Sequence, residues 1–143
     1  MRYDRELMAT KSTTAETARA SAEPGTLTLV LVLAWAIPGA AHVWLGRRQK
    51  GIVFLIVLSL MFAIGLMLEG RIFGLELGEP LVALAAIANM GMGVPWLLTR
   101  IVGGGAGLVT AATFEYGNTF LIVAGLLNFL VMLDAFDIAM GRK

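Results

Sequence analysis

Four stretches of this chain, 24–46, 51–68, 80–99 and 116–133, contain no Asp, Glu, Lys or Arg. A water-soluble domain carries roughly a quarter charged residues and breaks up its apolar runs. Here 15% of residues are charged and 58% hydrophobic, with a mean hydropathy of +0.82. A helix rising about 1.5 Å per residue needs roughly 17 to 25 mostly apolar residues to cross a hydrocarbon core about 30 Å thick. All four runs meet that length. The sequence therefore predicts an all-α integral membrane protein, with transmembrane helices near 26–45, 52–68, 81–98 and 119–136. Short connections pack such helices as an antiparallel bundle. The transmembrane domain is expected over 26–143, behind a polar arm at 1–25.

Composition also excludes. A net charge of +1 lacks the basic excess that nucleic-acid binding requires. With no cysteine, disulfides, thiolate metal sites and palmitoyl anchors are ruled out. The arm mixes both charge signs with Ser, Thr and Ala and has no apolar stripe, so it reads as largely extended or flexible. Thr14 and Glu16 to Ala22 suit a short helical turn. Gly39, Ala40 and Ala41 follow an apolar run as in a signal peptide. The charged region before that run is too long, however, and cleavage would discard the first span.

The stretch PGAAHVWLGRRQKG, residues 38–51, holds the only histidine. Pro38 removes a backbone donor and frees the carbonyl of Ala34, which a neighbouring helix must satisfy. Trp35, Pro38, His42 and Leu45 recur at helical spacing and share one face. Trp44 belongs at the membrane interface. Gly46 and Gly51 bracket Arg47, Arg48 and Lys50 as a tight corner whose cations snorkel to headgroups, with an anionic-lipid or partner-docking patch as the alternative. His42 reads as a hydrogen-bonded packing residue, or as an axial ligand to haem or a chlorophyll-type pigment, or as a proton carrier. No second histidine and no metal-ligand spacing accompanies it.

Pro38, Gly39, His42, Trp44, Leu45, Gly46, Arg47 and Gly51 resemble the first half of the two-transmembrane TM-two family pattern PGxGHxYLGRxxxG, with Ala41 in place of Gly and Trp44 in place of Tyr. That family's acidic residue after an apolar helix is matched by Leu127 to Asp134, but some seventy residues further on. With EYGNTF (115–120) and LDAFDIAMGRK (133–143), most of the chain resembles an uncharacterised family of small bacterial four-span membrane proteins. The resemblance implies a fold and a bacterial inner-membrane location, and no activity.

Asn89 and Asn128 sit near the centres of spans three and four, where an amide in hydrocarbon wants a partner. They are expected to meet each other or a common backbone carbonyl. Ala85 and Gly93 flank Asn89 as a small-residue stripe, making span three the most enclosed helix. Pro80 suits a first helical turn, and Pro95 before Trp96 and Arg100 suits a kinked exit. Asp134 and Asp137 share a face near a helix C-terminus, against the macrodipole. Four spans place them with Arg71, the arm, Arg142 and Lys143, and an ion-pair network follows. His42, Arg47, Arg48, Lys50, Arg100 and Glu115 then fall on the opposite side, with Glu115 pairing to Arg100 or to the corner. GGGAG, 103–107, lacks the lysine of a phosphate loop and reads as a flexible connection. Five cations against four give no orientation.

Three functions compete. The first is a non-enzymatic structural or accessory subunit, contacting membrane lipids and other integral membrane subunits. Its analogues are the small subunits of respiratory assemblies and photosynthetic reaction centres, an analogy of fold only. The second is a pigment- or haem-binding subunit using His42. The third is a small transporter or lipid-interacting protein. No nucleophile–base motif points to an enzyme, and no internal repeat is expected.

Overall fold

The computed structural model of the chain describes residues 4–9 and 23–143. Residues 4–9 are helical. The turn expected at Thr14 and Glu16 to Ala22 lies outside the described residues. From residue 23 onward the regular elements are six helices: α1 (Pro24–Ala36), α2 (Ala40–Trp44), α3 (Arg48–Met67), α4 (Pro80–Met90), α5 (Val94–Ile101) and α6 (Phe114–Ala139). Among the described residues only α3 and α6 are, by themselves, long and apolar enough to cross a bilayer, and α4 with α5 would be long enough if the bent pair is counted as one span. The 20 and 26 residues of α3 and α6 extend about 30 and 39 Å. They run antiparallel, with Lys50 at the start of α3 beside Asp134 near the end of α6 and Gly65 near the end of α3 against Gly117 and Leu121. α1, α3 and α4 all pack on α6. The most enclosed helix is therefore the last, in place of the expected third.

The first apolar run is a hairpin where a span over 26–45 was predicted. α1 has 13 residues, about 20 Å of helix, too short for a core of about 30 Å. Leu and Val alternate along it, yet it is helical, since a helix satisfies its own backbone groups without a sheet partner. Val30 and Ala34 pack against Ala135, and the carbonyls of Ala34 and Trp35 face Asn128, about halfway along α6. There the helix stops. Pro38 has no N–H to return to Ala34, Ile37 is extended, and Gly39 turns the chain at φ +79°. α2 then heads back: Leu45 joins the Val30 and Ala135 cluster and His42 reaches Asp134. The break also dissolves the single helical face expected for Trp35, Pro38, His42 and Leu45.

The third apolar run repeats this from the other end. α4 begins with Pro80 in its first turn, as expected, and α5 leaves it at 109°. The break lies at Gly91–Gly93, and Pro95 opens α5 where a kinked exit was expected. Ala88 and Gly91 press on Gly125, midway along α6. Both outer ends of the α4–α5 pair lie at the Gly70 end of the molecule: Arg71 and Glu76 line one cleft with Arg100 and 103–106, and Thr99 lines another with Glu69 and Gly70.

The two halves thus share a plan, and their strings agree although no repeat was expected. α3 contains Gly51-x-x-Phe54-Leu55-Ile56-Val57-x-Ser59-Leu60, and α6 contains Gly117-x-x-Phe120-Leu121-Ile122-Val123-x-Gly125-Leu126. Each follows a broken helix pair and a Trp-Leu-x-x-Arg string, at Trp44–Arg48, whose arginine opens α3, and at Trp96–Arg100 within α5. Because α3 and α6 are antiparallel, the halves form an inverted repeat. Two hairpins dip from opposite ends and touch at mid-depth.

Labelling tests this arrangement directly, because the chain has no cysteine of its own. Glu76→Cys and Ala106→Cys are expected to react with an impermeant maleimide from the same membrane face, and Gln49→Cys from the opposite one. A four-span bundle would place positions 76 and 106 on opposite faces.

Candidate functional site

At one end of the bundle the polar side chains converge on Asp134. Gly46 turns the corner at φ +83°, the Arg47 amide donates to the His42 carbonyl at 2.8 Å, and α3 starts at Arg48. Gly51, expected to end the corner as Gly46 does, instead lies inside α3. A Cβ there would strike the Gly39 carbonyl and Val43, so its role is to let α2 press onto α3. That contact brings His42 and Lys50 to the same carboxylate. His42 Nε2 donates to Asp134 Oδ2 at 2.8 Å, Lys50 Nζ to the same oxygen at 2.5 Å, and Lys143 Nζ to Oδ1 at 2.7 Å.

His42 is fully buried and edge-on to Phe54, ring centroids 5.1 Å apart. Its Nδ1 is buried without a hydrogen-bond partner. With Nε2–H on the carboxylate, Nδ1 is the ring nitrogen that keeps a free lone pair. The hydrogen bond from Lys143 to Asp134 raises the lysine above its ordinary pKa. Asp137 bonds Arg142 at 3.4 Å.

Burial decides which of these contacts matters. Asp134→Leu strands a fully buried imidazole donor and is expected to cost about 2–3 kcal/mol, as for a buried hydrogen-bonding group left unmade. Asp134→Asn keeps an acceptor and should cost about half of that. Lys143→Gln removes only an exposed partner and should change stability by less than about 0.5 kcal/mol. Denaturation in mixed detergent micelles ranks the three, and a Lys143 effect equal to that of Asp134→Leu would contradict the assignment.

Asp134 was expected to share its side with Arg71, and the basic corner to lie opposite. The structure reverses both. Arg71 sits at the other end, where its backbone N–H donates to Asn118 Oδ1 at 2.7 Å. Glu115 is exposed and has no ion pair with Arg100 or the corner among the described residues. With α2 folded back along α1, the corner returns to the end where α6 finishes. GGGAG is held in place, its Gly105 carbonyl accepting from the Ile72 N–H at 2.8 Å.

Mid-depth holds the second polar centre. Asn128 Nδ2 donates to the Gly91 carbonyl at 2.8 Å and approaches those of Ala34 and Trp35 at 3.4 and 3.3 Å. It therefore serves the broken ends of both hairpins, including the carbonyl freed by Pro38. Trp35 Nε1 donates to the Met90 carbonyl at 2.9 Å, and Gly93, at φ +64°, lies against the Trp35 backbone. Asn89 is fully buried with neither amide atom partnered, so the expected Asn89–Asn128 pair does not form. Trp44 is half-exposed, as an interfacial ring should be. The roles of Asn118 and Gly125 were missed. Asn118 looks like an ordinary polar residue near a helix start, and a lone glycine in a span announces no particular neighbour.

Helices long and apolar enough to cross a membrane, with their polar groups turned inward, define an all-helical integral membrane protein. The family of unknown function DUF6677 matches residues 29–143, and the chain belongs to that family. The likeness of the first hairpin to the TM-two pattern finds no counterpart in that match. No curated protein and no solved structure matches the chain.

Proposed function

We propose that this chain is a non-enzymatic subunit of a larger assembly in the bacterial inner membrane, with the corner and C-terminus facing the cytoplasm. The observation that carries the reading is the closure of the charged cluster. His42, Lys50 and Lys143 all bond Asp134, and the cleft beside them is otherwise lined by Val, Leu and Phe. Nothing there pairs a nucleophile with a free base. Meanwhile Leu81, Leu84, Leu98 and Ile101 on α4 and α5 are more than half exposed, an apolar surface for lipid or a neighbouring subunit.

Orientation follows from the cations. Arg47, Arg48, Lys50, Arg142 and Lys143 lie at one end, and Arg71 and Arg100 at the other. Cytoplasmic ends carry the excess of Lys and Arg. Extraction in a mild detergent followed by mass measurement tests the reading. The chain should travel with other integral membrane subunits, and a species that always runs alone at 15.2 kDa would overturn it.

A small transporter is the second reading, favoured by the inverted pair of broken helices meeting at mid-depth, an arrangement that recurs around transport sites. Solute flux into vesicles holding the purified chain alone would support it over the first.

A further inference from the structure

A cleft of about 410 Å³ runs between α3 and α6, from Lys50 and Asp134 at one end to Leu58 and Leu127 further in. Its walls are Val53, Phe54 and Val57 on one helix and Leu130 and Val131 on the other. From Lys50 to Leu58 is eight residues, a rise of about 12 Å. The cleft therefore descends from headgroup level through most of one leaflet of a core about 30 Å thick. Apolar walls below a charged mouth match an acyl chain below an anionic headgroup.

The outer end of the cleft is positively charged. Arg47 immediately precedes α3 and lies near enough to Lys143, itself bonded to Asp134 at the mouth, to oppose its charge. Neither Arg47 nor Arg48 forms an ion pair among the described residues, and both are exposed. Lys50 lies 5.8 Å from the Phe54 ring centroid and gives a single hydrogen bond, to Asp134, although an ammonium has three donors. Across the whole end, Arg47, Arg48, Lys50, Arg142 and Lys143 outnumber Glu23, Asp134 and Asp137, a local charge of +2. Such a cluster at headgroup level attracts anionic lipid at about 1 kcal/mol per cation.

From the apolar cleft and the cations at its mouth together, we infer that this is a binding site for one anionic phospholipid. An acyl chain lies along Phe54, Val57 and Leu130, and the phosphate sits at Arg47 and the free donors of Lys50. The inference does not depend on which assembly the chain joins, and it gives the basic corner a ligand as well as an orientation.

The test uses the full chain in phosphatidylcholine bilayers with trace spin-labelled phosphatidylglycerol or spin-labelled phosphatidylcholine. The motionally restricted fraction of each label reports association. The wild-type chain should hold phosphatidylglycerol about fivefold more strongly than phosphatidylcholine. Arg47→Gln, at an exposed position, removes the headgroup partner and should bring that ratio near one. Leu130→Trp fills the cleft from a side chain 60% exposed and should do the same while the cations remain. Added glycerol phosphate should leave the wild-type ratio unchanged, because a headgroup without a chain lacks the cleft. A wild-type ratio near one would overturn the site. A ratio lowered by Arg47→Gln but untouched by Leu130→Trp would reduce it to a diffuse charge effect, as would full competition by glycerol phosphate. Circular dichroism of both variants at wild-type helicity excludes unfolding as the cause.

Discussion

An Asn128→Leu variant is expected to lose about 2–4 kcal/mol of stability and to loosen both hairpins at once. Leucine matches asparagine closely in length and suits hydrocarbon better, so a side chain that merely filled space would tolerate the change. Asn128 does more than fill space. Its Nδ2 donates to the Gly91 carbonyl and lies within 3.4 Å of the Ala34 and Trp35 carbonyls. Single interhelical bonds in membranes are worth only about 0.6–2 kcal/mol. The larger loss arises because carbonyls at two helix breaks would be stranded together, at about 1–3 kcal/mol for each group left unmade. Hydrogen exchange should show the amides of 36–40 and 90–94 losing protection together, with α3 little affected. Loss confined to one hairpin would show that Asn128 is not the shared clamp.

Gly125→Ala should be at least as damaging, at about 3 kcal/mol or more. A Cβ at Gly125 would fall inside contact distance of the Ala88 carbonyl oxygen. Backbone meets backbone there, so no rotamer change relieves the clash, and overpacking of this kind costs about 1–3 kcal/mol. As α4 retreats it also carries Gly91 away from Asn128, losing that bond. Gly74 and Gly78 supply the control, since a Cβ at either meets nothing within 4 Å and Ala there should stay within about 0.5 kcal/mol. Thermal unfolding in one detergent compares all three. Equal effects at Gly125 and Gly74 would mean that the contact between α4 and α6 does not hold the hairpin.

Much of this fold was legible in the sequence, and the errors have one source. The apolar runs gave helices and a membrane, Pro38 gave a freed carbonyl at Ala34, and Gly46 gave the left-handed corner. Run length was the misleading signal. A stretch of 20 apolar residues is long enough to cross, but Pro38-Gly39 and Gly91–Gly93 break two of the runs near their middles, and half-length helices reach only to mid-depth. From that one miscount came the sidedness, and from the sidedness the placing of Arg71 beside Asp134 and of His42 away from it. Asp134 itself gave no correcting signal, because Lys143 at the same helix end can satisfy a carboxylate wherever the corner lies. The shared Gly-x-x-Phe-Leu-Ile-Val string was present from the start, but its significance depends on knowing that the two helices run in opposite directions.

The 92 residues between His42 and Asp134 also set an order of events during synthesis. At about 5–20 residues per second, roughly 5–18 s pass between translation of the histidine and of its carboxylate. Until its final six residues that interval leaves the first hairpin with neither Asp134 for its imidazole nor Asn128 for its open carbonyls. α6 is thus the helix that closes the fold, and a nascent chain halted before it would present the insertion machinery with a hairpin unable to hold itself shut.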